Sequence, residues 1–219
     1  METRYHSQIS IPVDNIRLKG ELCIPLATKV VIIFSHGSGS SRLSPRNLQV
    51  AKYLQEHNFG TLLFDLLTPE EDEYYRNRFA INLLKERLLD ATRWLKQFAA
   101  AKDTAIAYFG ASTGAAAALA AAAELPEVFA VVSRGGRPDL AMHYLPAIKS
   151  PVLLIVGSND TQVLQLNQMA YRALKCHKKL EVIDGAGHLF EEPGKLMAVA
   201  ALAADWFRKS ILVTNSKSL

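Results

Sequence analysis

A serine, a carboxylate and an imidazole follow one another along the 219-residue chain in an order that suits nucleophilic chemistry. They are Ser112 in Gly110-Ala111-Ser112-Thr113-Gly114, Asp160 in Gly157-Ser158-Asn159-Asp160, and His188 in Asp184-Gly185-Ala186-Gly187-His188. A serine hydroxyl is a weak nucleophile at neutral pH, so it needs a nearby base, and the base needs an orienting acid. His188 is read as the base. Asp160 is read as the acid that fixes the imidazole tautomer and stabilises the imidazolium. Asp184 is the rival acid, but it leaves the same strand end as His188, and His143, within Leu140–Leu145, is the rival base. The plainer alternatives are helix caps, Ser112 for a helix beginning at Thr113 and Asp160 for one beginning near Thr161.

Gly110-x-Ser112-x-Gly114 fits a nucleophile elbow, a sharp strand-to-helix turn that lifts a strained serine to the rim of a sheet. The glycines suit a turn that passes close to neighbouring strands. An alanine-rich stretch from Thr113 to Glu124 follows, and as a helix it would aim its positive end at charge developing near Ser112. Two backbone N–H groups are expected to form an oxyanion hole, that of Thr113 and, from the loop Gly37–Gly39, that of Ser38. His36, beside that loop, reads as a structural hydrogen-bonding residue. Arg134 and Arg137 in Ser133–Asp139, with Arg42 and Arg46, are candidates to grip a carboxylate or phosphate, against the alternative of solvated turn residues. Tyr74, Tyr75 and Phe79, in the polar and aromatic stretch Pro69–Phe79, are candidates to wall the pocket, act as a lid, or cover the sheet's edge.

Buried strands must hold these loops together. Short apolar runs at Val30–Phe34, Thr61–Phe64, Thr104–Phe109, Val128–Val132, Val152–Val156 and Leu180–Ile183 read as strands of a parallel sheet covered on both faces. Between them lie helical stretches at Leu48–Glu56, Asn82–Ala99, Thr113–Glu124 and Leu164–Leu174, and a last one at Leu196–Arg208. The start alternates through Ile9, Ile11 and Val13, turns at Asp14-Asn15, and returns through Ile16 and Leu18, a β-hairpin. The expected architecture is α/β: a doubly wound, mostly parallel sheet with helices on both faces and an N-terminal antiparallel hairpin. Residues 1–219 read as a single domain with a frayed tail from Thr214 to Leu219. Ligands bind such folds beyond the carboxyl ends of the strands, where Ser112, Asp160, His188 and the glycine-rich loop after Phe34 fall.

Composition narrows the classes. The chain is 49% hydrophobic and 21% charged, which excludes a disordered or collagen-like chain. Its net charge of +4 is scattered, leaving no footprint for nucleic acid. The two cysteines, Cys23 and Cys176, match no metal spacing and read as reduced thiols of a cytoplasmic protein. The N-terminus has no apolar signal region and the longest apolar run, Ala115–Ala123, is too short to span a bilayer, so no membrane partner is expected. A dinucleotide fingerprint fails because its third glycine would fall at Arg42, and no HExxH or CxxC occurs. No cofactor and no metal are expected, and a monomer or homodimer is.

Taken together, Ser112, Asp160 and His188 in that order, with His36-Gly37-Ser38-Gly39 upstream, resemble the α/β-hydrolase superfamily. The likeness runs from Leu18-x-Gly20-x-Leu22 to the helix after His188, and the compact size is most similar to the dienelactone-hydrolase branch. That branch's namesakes carry cysteine where Ser112 stands. The resemblance therefore implies a serine hydrolase cleaving a small carboxylic ester, thioester or lactone through an acyl-enzyme. The alternatives are a catalytically idle binding or scaffold protein of the same fold, or an acyltransferase.

Overall fold

The computed structural model describes residues 2–215. Strands β1 (Thr3–Val13) and β2 (Ile16–Pro25) form the hairpin, with Val13 opposite Ile16 and Asp14 turned at φ 45°, a conformation that a short polar side chain tolerates. Next come β3 (Val30–Ser35), helix α1 (Pro45–Glu56) and β4 (Gly60–Phe64). Ser44 caps α1 by accepting the Asn47 N–H, and Pro45 occupies the first turn, where no N–H is missed. Helix α2 (Pro69–Asp72) and a 3-10 turn (Tyr75–Phe79) lead into α3 (Ile81–Gln97). Then follow β5 (Ala105–Ala111), α4 (Thr113–Glu124), β6 (Val131–Arg134), two 3-10 turns (Pro138–Ala141 and Leu145–Ala147), β7 (Val152–Gly157), α5 (Thr161–Ala173), β8 (Lys178–Ile183) and α6 (Lys195–Asn215).

All eight strands join one sheet in the order β1-β2-β4-β3-β5-β6-β7-β8. β1 and β2 run antiparallel, and the strands from β4 to β8 in that order are mutually parallel. From β3 the chain moves outward to β4, then crosses back to β5 on the other side of β3. The reversal opens a crevice at the carboxyl ends of β3 and β5.

Each central strand feeds two cores. Val30, Ile32 and Phe34 pack with Val50, Leu54 and Phe207 beneath α1 and α6, while Val31 and Ile33 pack with Leu84, Leu88 and Leu119 beneath α3 and α4. Burial on both faces is why these strands read as continuous apolar runs. Helix α4 is buried almost throughout, Ala115 to Ala122, and its small side chains let it lie close against β5 and β6.

Three expectations need correction. Strand β8, expected to be covered on both faces, is the edge of the sheet, with Ile183 alone buried and Val182 45% exposed. Strand β6 is displaced from Val128–Val132 to Val131–Arg134. Ser133 and Arg134, polar and read as loop, are buried strand residues paired to β5 on one side and β7 on the other. The final helix is longer than expected, since Thr214 and Asn215 belong to α6; the remainder of the expected tail, 216–219, lies outside the described residues. Among the described residues, no helix is long and apolar enough to cross a membrane.

Candidate active site

Strand β5 ends one residue before Ser112, whose backbone sits at φ 51° and ψ −121°, a strained conformation for any residue with a Cβ. Tertiary contacts hold it there. The Ser112 N–H donates to Arg134 O at 3.2 Å, and Ser112 O accepts the N–H groups of Ala115 and Arg137, both at 3.1 Å. A Cβ on Gly114 would collide with the carbonyl oxygens of Ser35 and His36, and one on Gly110 with the backbone of Ala115. The turn therefore exists only because both flanking positions are glycine.

Asp160 and His188 are brought together by two interlocked loops. The Asn159 N–H donates to Ala186 O at 3.0 Å, Asn159 Nδ2 to Gly185 O at 3.1 Å, and the Gly185 N–H to Ser158 Oγ at 2.7 Å. Gly157 permits the approach, since a Cβ there would strike the backbone of Ala186 and Gly187. The result is a hydrogen bond of 2.6 Å between His188 Nδ1 and Asp160 Oδ2. The Asp160 side chain does not cap α5, although it occupies the capping position. Asp184 instead accepts a weak bond from Ser158 Oγ at 3.4 Å, and His143 is exposed, its ring 4.0 Å from that of Tyr144.

His188 lies over the residue that follows Arg134. Gly135, at φ 51°, would place a Cβ 3.5 Å from the imidazole. The strand end that accepts the Ser112 N–H thus also floors the histidine. Ser112 Oγ carries no hydrogen bond among the described residues, nor does His188 Nε2. Catalytic hydrogen bonds in free enzymes are commonly long and tighten on substrate binding.

The glycine loop after β3 runs directly over the serine, for a Cβ on Gly37 would lie 3.1 Å from Ser112 Cβ. His36 holds the loop. Its Nδ1–H donates to Gly37 O and its Nε2 accepts the Leu66 N–H, both at 3.0 Å. Burial depresses the basicity of this imidazole below its ordinary value, which keeps it in the neutral form that Nε2 needs in order to accept. The backbone amides of Ser38 and Thr113 make no hydrogen bond among the described residues. Both residues line one small cavity, together with Leu66, Leu67, Leu84, Asp72 and Arg78.

The other sequence candidates do not gather on this cavity. Arg42 is engaged by Asp65, at 2.8 Å through its N–H and 2.7 Å through Nη1. The Arg137 guanidinium is paired with its own near neighbour Asp139 at 2.9 and 2.8 Å. Arg134 is buried on the opposite face of the sheet, beside Asn47 of α1. Tyr74 is 59% exposed. The cavity's charged wall is Arg78, which the sequence reading missed. Asp72 holds it from below at 2.8 and 2.9 Å and leaves Nη1 facing Gly39. No spacing along the chain signals this pair, which forms across the end of α2 and the following 3-10 turn. Among the described residues, no cluster of three or more His, Cys, Asp or Glu side chains could hold a metal ion.

Known proteins place the chain. The profile of the dienelactone hydrolase family matches residues 22–213. A crystal structure of dienelactone hydrolase from Anabaena variabilis is similar at 50% identity and a TM-score of 0.92, over 95% of this chain and 99% of that one. Est1E from Butyrivibrio proteoclasticus is similar in fold at 17% identity and a TM-score of 0.79, over 94% of this chain and 99% of that one. Two Mycobacterium tuberculosis proteins, each named "Putative phosphoribosyl transferase", are 51% identical over 204 residues, covering 91% of this chain. The chain spans 45% of the length of those curated relatives. With its parallel sheet, its hairpin and a family match over most of its length, the chain belongs to the dienelactone hydrolase family, within the α/β-hydrolase fold.

Proposed function

We propose that this chain is a serine hydrolase that cleaves a small carboxylic ester, thioester or lactone through an acyl-enzyme. The observation that carries the reading is the 2.6 Å bond between His188 Nδ1 and Asp160 Oδ2, one strand end away from a serine held at φ 51°. Ser112 Oγ attacks the carbonyl carbon while His188 Nε2 takes its proton, and Asp160 stabilises the imidazolium. The carbonyl oxygen, now negative, receives the N–H groups of Ser38 and Thr113. Collapse of the tetrahedral adduct breaks the bond to the leaving oxygen or sulfur, to which His188 returns the proton. His188 then removes a proton from water, whose oxygen attacks the acyl carbon, and returns it to Ser112 Oγ as the acyl bond breaks.

The small pocket beside the two amides, walled by Leu66, Leu67 and Leu84, supports a short acyl group. The transferase name belongs to relatives of which this chain spans less than half, and no phosphoribosyl chemistry is proposed for it. Rapid mixing with p-nitrophenyl acetate tests the reading. A burst of nitrophenolate equal to the enzyme concentration is expected, absent in Ser112→Ala and in His188→Ala. Asp160→Asn should retain turnover reduced by about 10³–10⁴-fold. Full turnover in Ser112→Ala would refute the assignment.

A further inference from the structure

Arg134 stands apart from the other arginines. Its side chain is 7% exposed, and no carboxylate lies against it. Its sole hydrogen bond among the described residues is a long one, 3.4 Å from Nη2 to Asn47 Oδ1, while Nε and Nη1 are buried without any partner. The charged group that acts on it is another cation, Arg46 of the first turn of α1. Burial, aided by Arg46, pushes its pKa down to about 10. A guanidinium carries five N–H donors in a planar fork, and leaving a buried cation unpaired is strongly unfavourable.

The surroundings suit an anion. Arg46 extends along the seam between α1 and the loop after His188, where its Nη1 meets Glu191 Oε1 at 2.8 Å; its own Nε is buried and unpartnered. That ion pair is half-exposed and weak enough to exchange. The first turn of α1 adds the positive end of a 12-residue helix. Arg46, Phe190, Glu191 and Glu192 wall a surface cleft at this seam; Arg134 is buried and does not itself line it, and Glu192 is turned to the Gly187 N–H, which its Oε1 accepts at 2.9 Å.

We infer that Arg134 and Arg46 form a binding site for one small tetrahedral oxyanion of the phosphate class, seated between them at the start of α1. The anion takes the free edge of Arg134 and replaces Glu191 as the partner of Arg46. A dianion matches the two cations, and its several oxygens suit guanidinium groups that arrive from different elements. The site lies on the α1 and α6 face, whereas the cavity at Ser38 and Thr113 is walled by Leu66 and Leu84 from the other face. It is therefore separate from the ester-binding cavity, and it stands whether or not the hydrolase reading does.

Titration with inorganic phosphate at constant ionic strength, followed by thermal unfolding and by calorimetry, tests the site. The unmodified chain should show saturable binding and a rise in melting temperature of about 2–4 °C. Arg46→Gln should fold normally and bind at least tenfold more weakly. Arg134→Met should lose the response and, in phosphate-free buffer, melt no lower than the parent, because it removes a buried cation that has no partner. The inference fails if the parent shows no saturable binding, if Arg46→Gln responds as the parent does, or if Arg134→Met melts several degrees lower without phosphate.

Discussion

Thr113 of the serine turn and Arg78 of the Pro69–Phe79 segment face one cavity, yet the two regions are built on different principles. Around Ser112 the backbone of one element lies directly on that of another, at contacts where Gly110 and Gly114 leave no space for a single added carbon. Few side chains participate, and the geometry follows from shape. The Pro69–Phe79 segment is held by side chains at the surface: Arg78 on Asp72, Arg87 on Glu71 at 2.7 Å, and the reciprocal cap between Thr68 and Glu71. Its aromatic residues Tyr74 and Tyr75 point outward, 59% and 70% exposed. The candidate nucleophile thus rests on a scaffold that side-chain changes barely reach, while the Arg78 wall of the adjoining cavity depends on exchangeable contacts.

Substitution should separate the two regions by size of effect. Gly114→Ala drives a methyl group into two backbone carbonyls that cannot yield, and should destabilise the chain by about 3 kcal/mol or more, read as a large drop in thermal unfolding temperature. Acidification should have a smaller effect, acting through His36. Its imidazole is held below the ordinary value of 6.5 by burial, so the unfolded chain binds the proton more readily. The stability this contributes is complete above about pH 6.5 and is lost as pH falls through the lower folded value. Denaturant titrations from pH 7.5 to 5 should show that loss, with His36→Gln less steep over the same range.

Changes in the Pro69–Phe79 segment should be milder still. Arg78→Met breaks a half-exposed pair and should alter stability by no more than about 1 kcal/mol, while changing the KM ratio between neutral and acidic esters. Tyr75→Ser, at the most exposed aromatic residue, should stay within about 0.5 kcal/mol of the parent. An unfolding temperature for Tyr75→Ser as low as that of Gly114→Ala would erase the distinction between the regions.

The ends of the buried strands were readable in advance because a parallel strand covered on both faces must be apolar, so the first polar residues after each run mark the rim. That logic located Ser112, Asp160 and His188 on their loops and α4 to the residue. It misplaced β6 because Ser133 and Arg134 are polar residues inside the sheet, held by their neighbours in β5 and β7 rather than by hydrophobicity. The arginines were harder for a different reason. A guanidinium reaches far, and whether Arg42 meets Asp65 or Arg78 meets Asp72 depends on where loops settle in space. Spacing along the chain does not encode that distance. Nor does it reveal that Arg134 lies beneath the sheet's rim with no acid to meet it.

Whether Ser112 is the atom that becomes acylated can be decided by incubating the chain with a fluorophosphonate and mapping the modified peptide by mass spectrometry. One phosphonyl group per chain on Ser112 is expected, with none in Ser112→Ala and sharply slowed labelling in His188→Ala. Modification at another serine, or labelling undiminished by loss of His188, would contradict the mechanism.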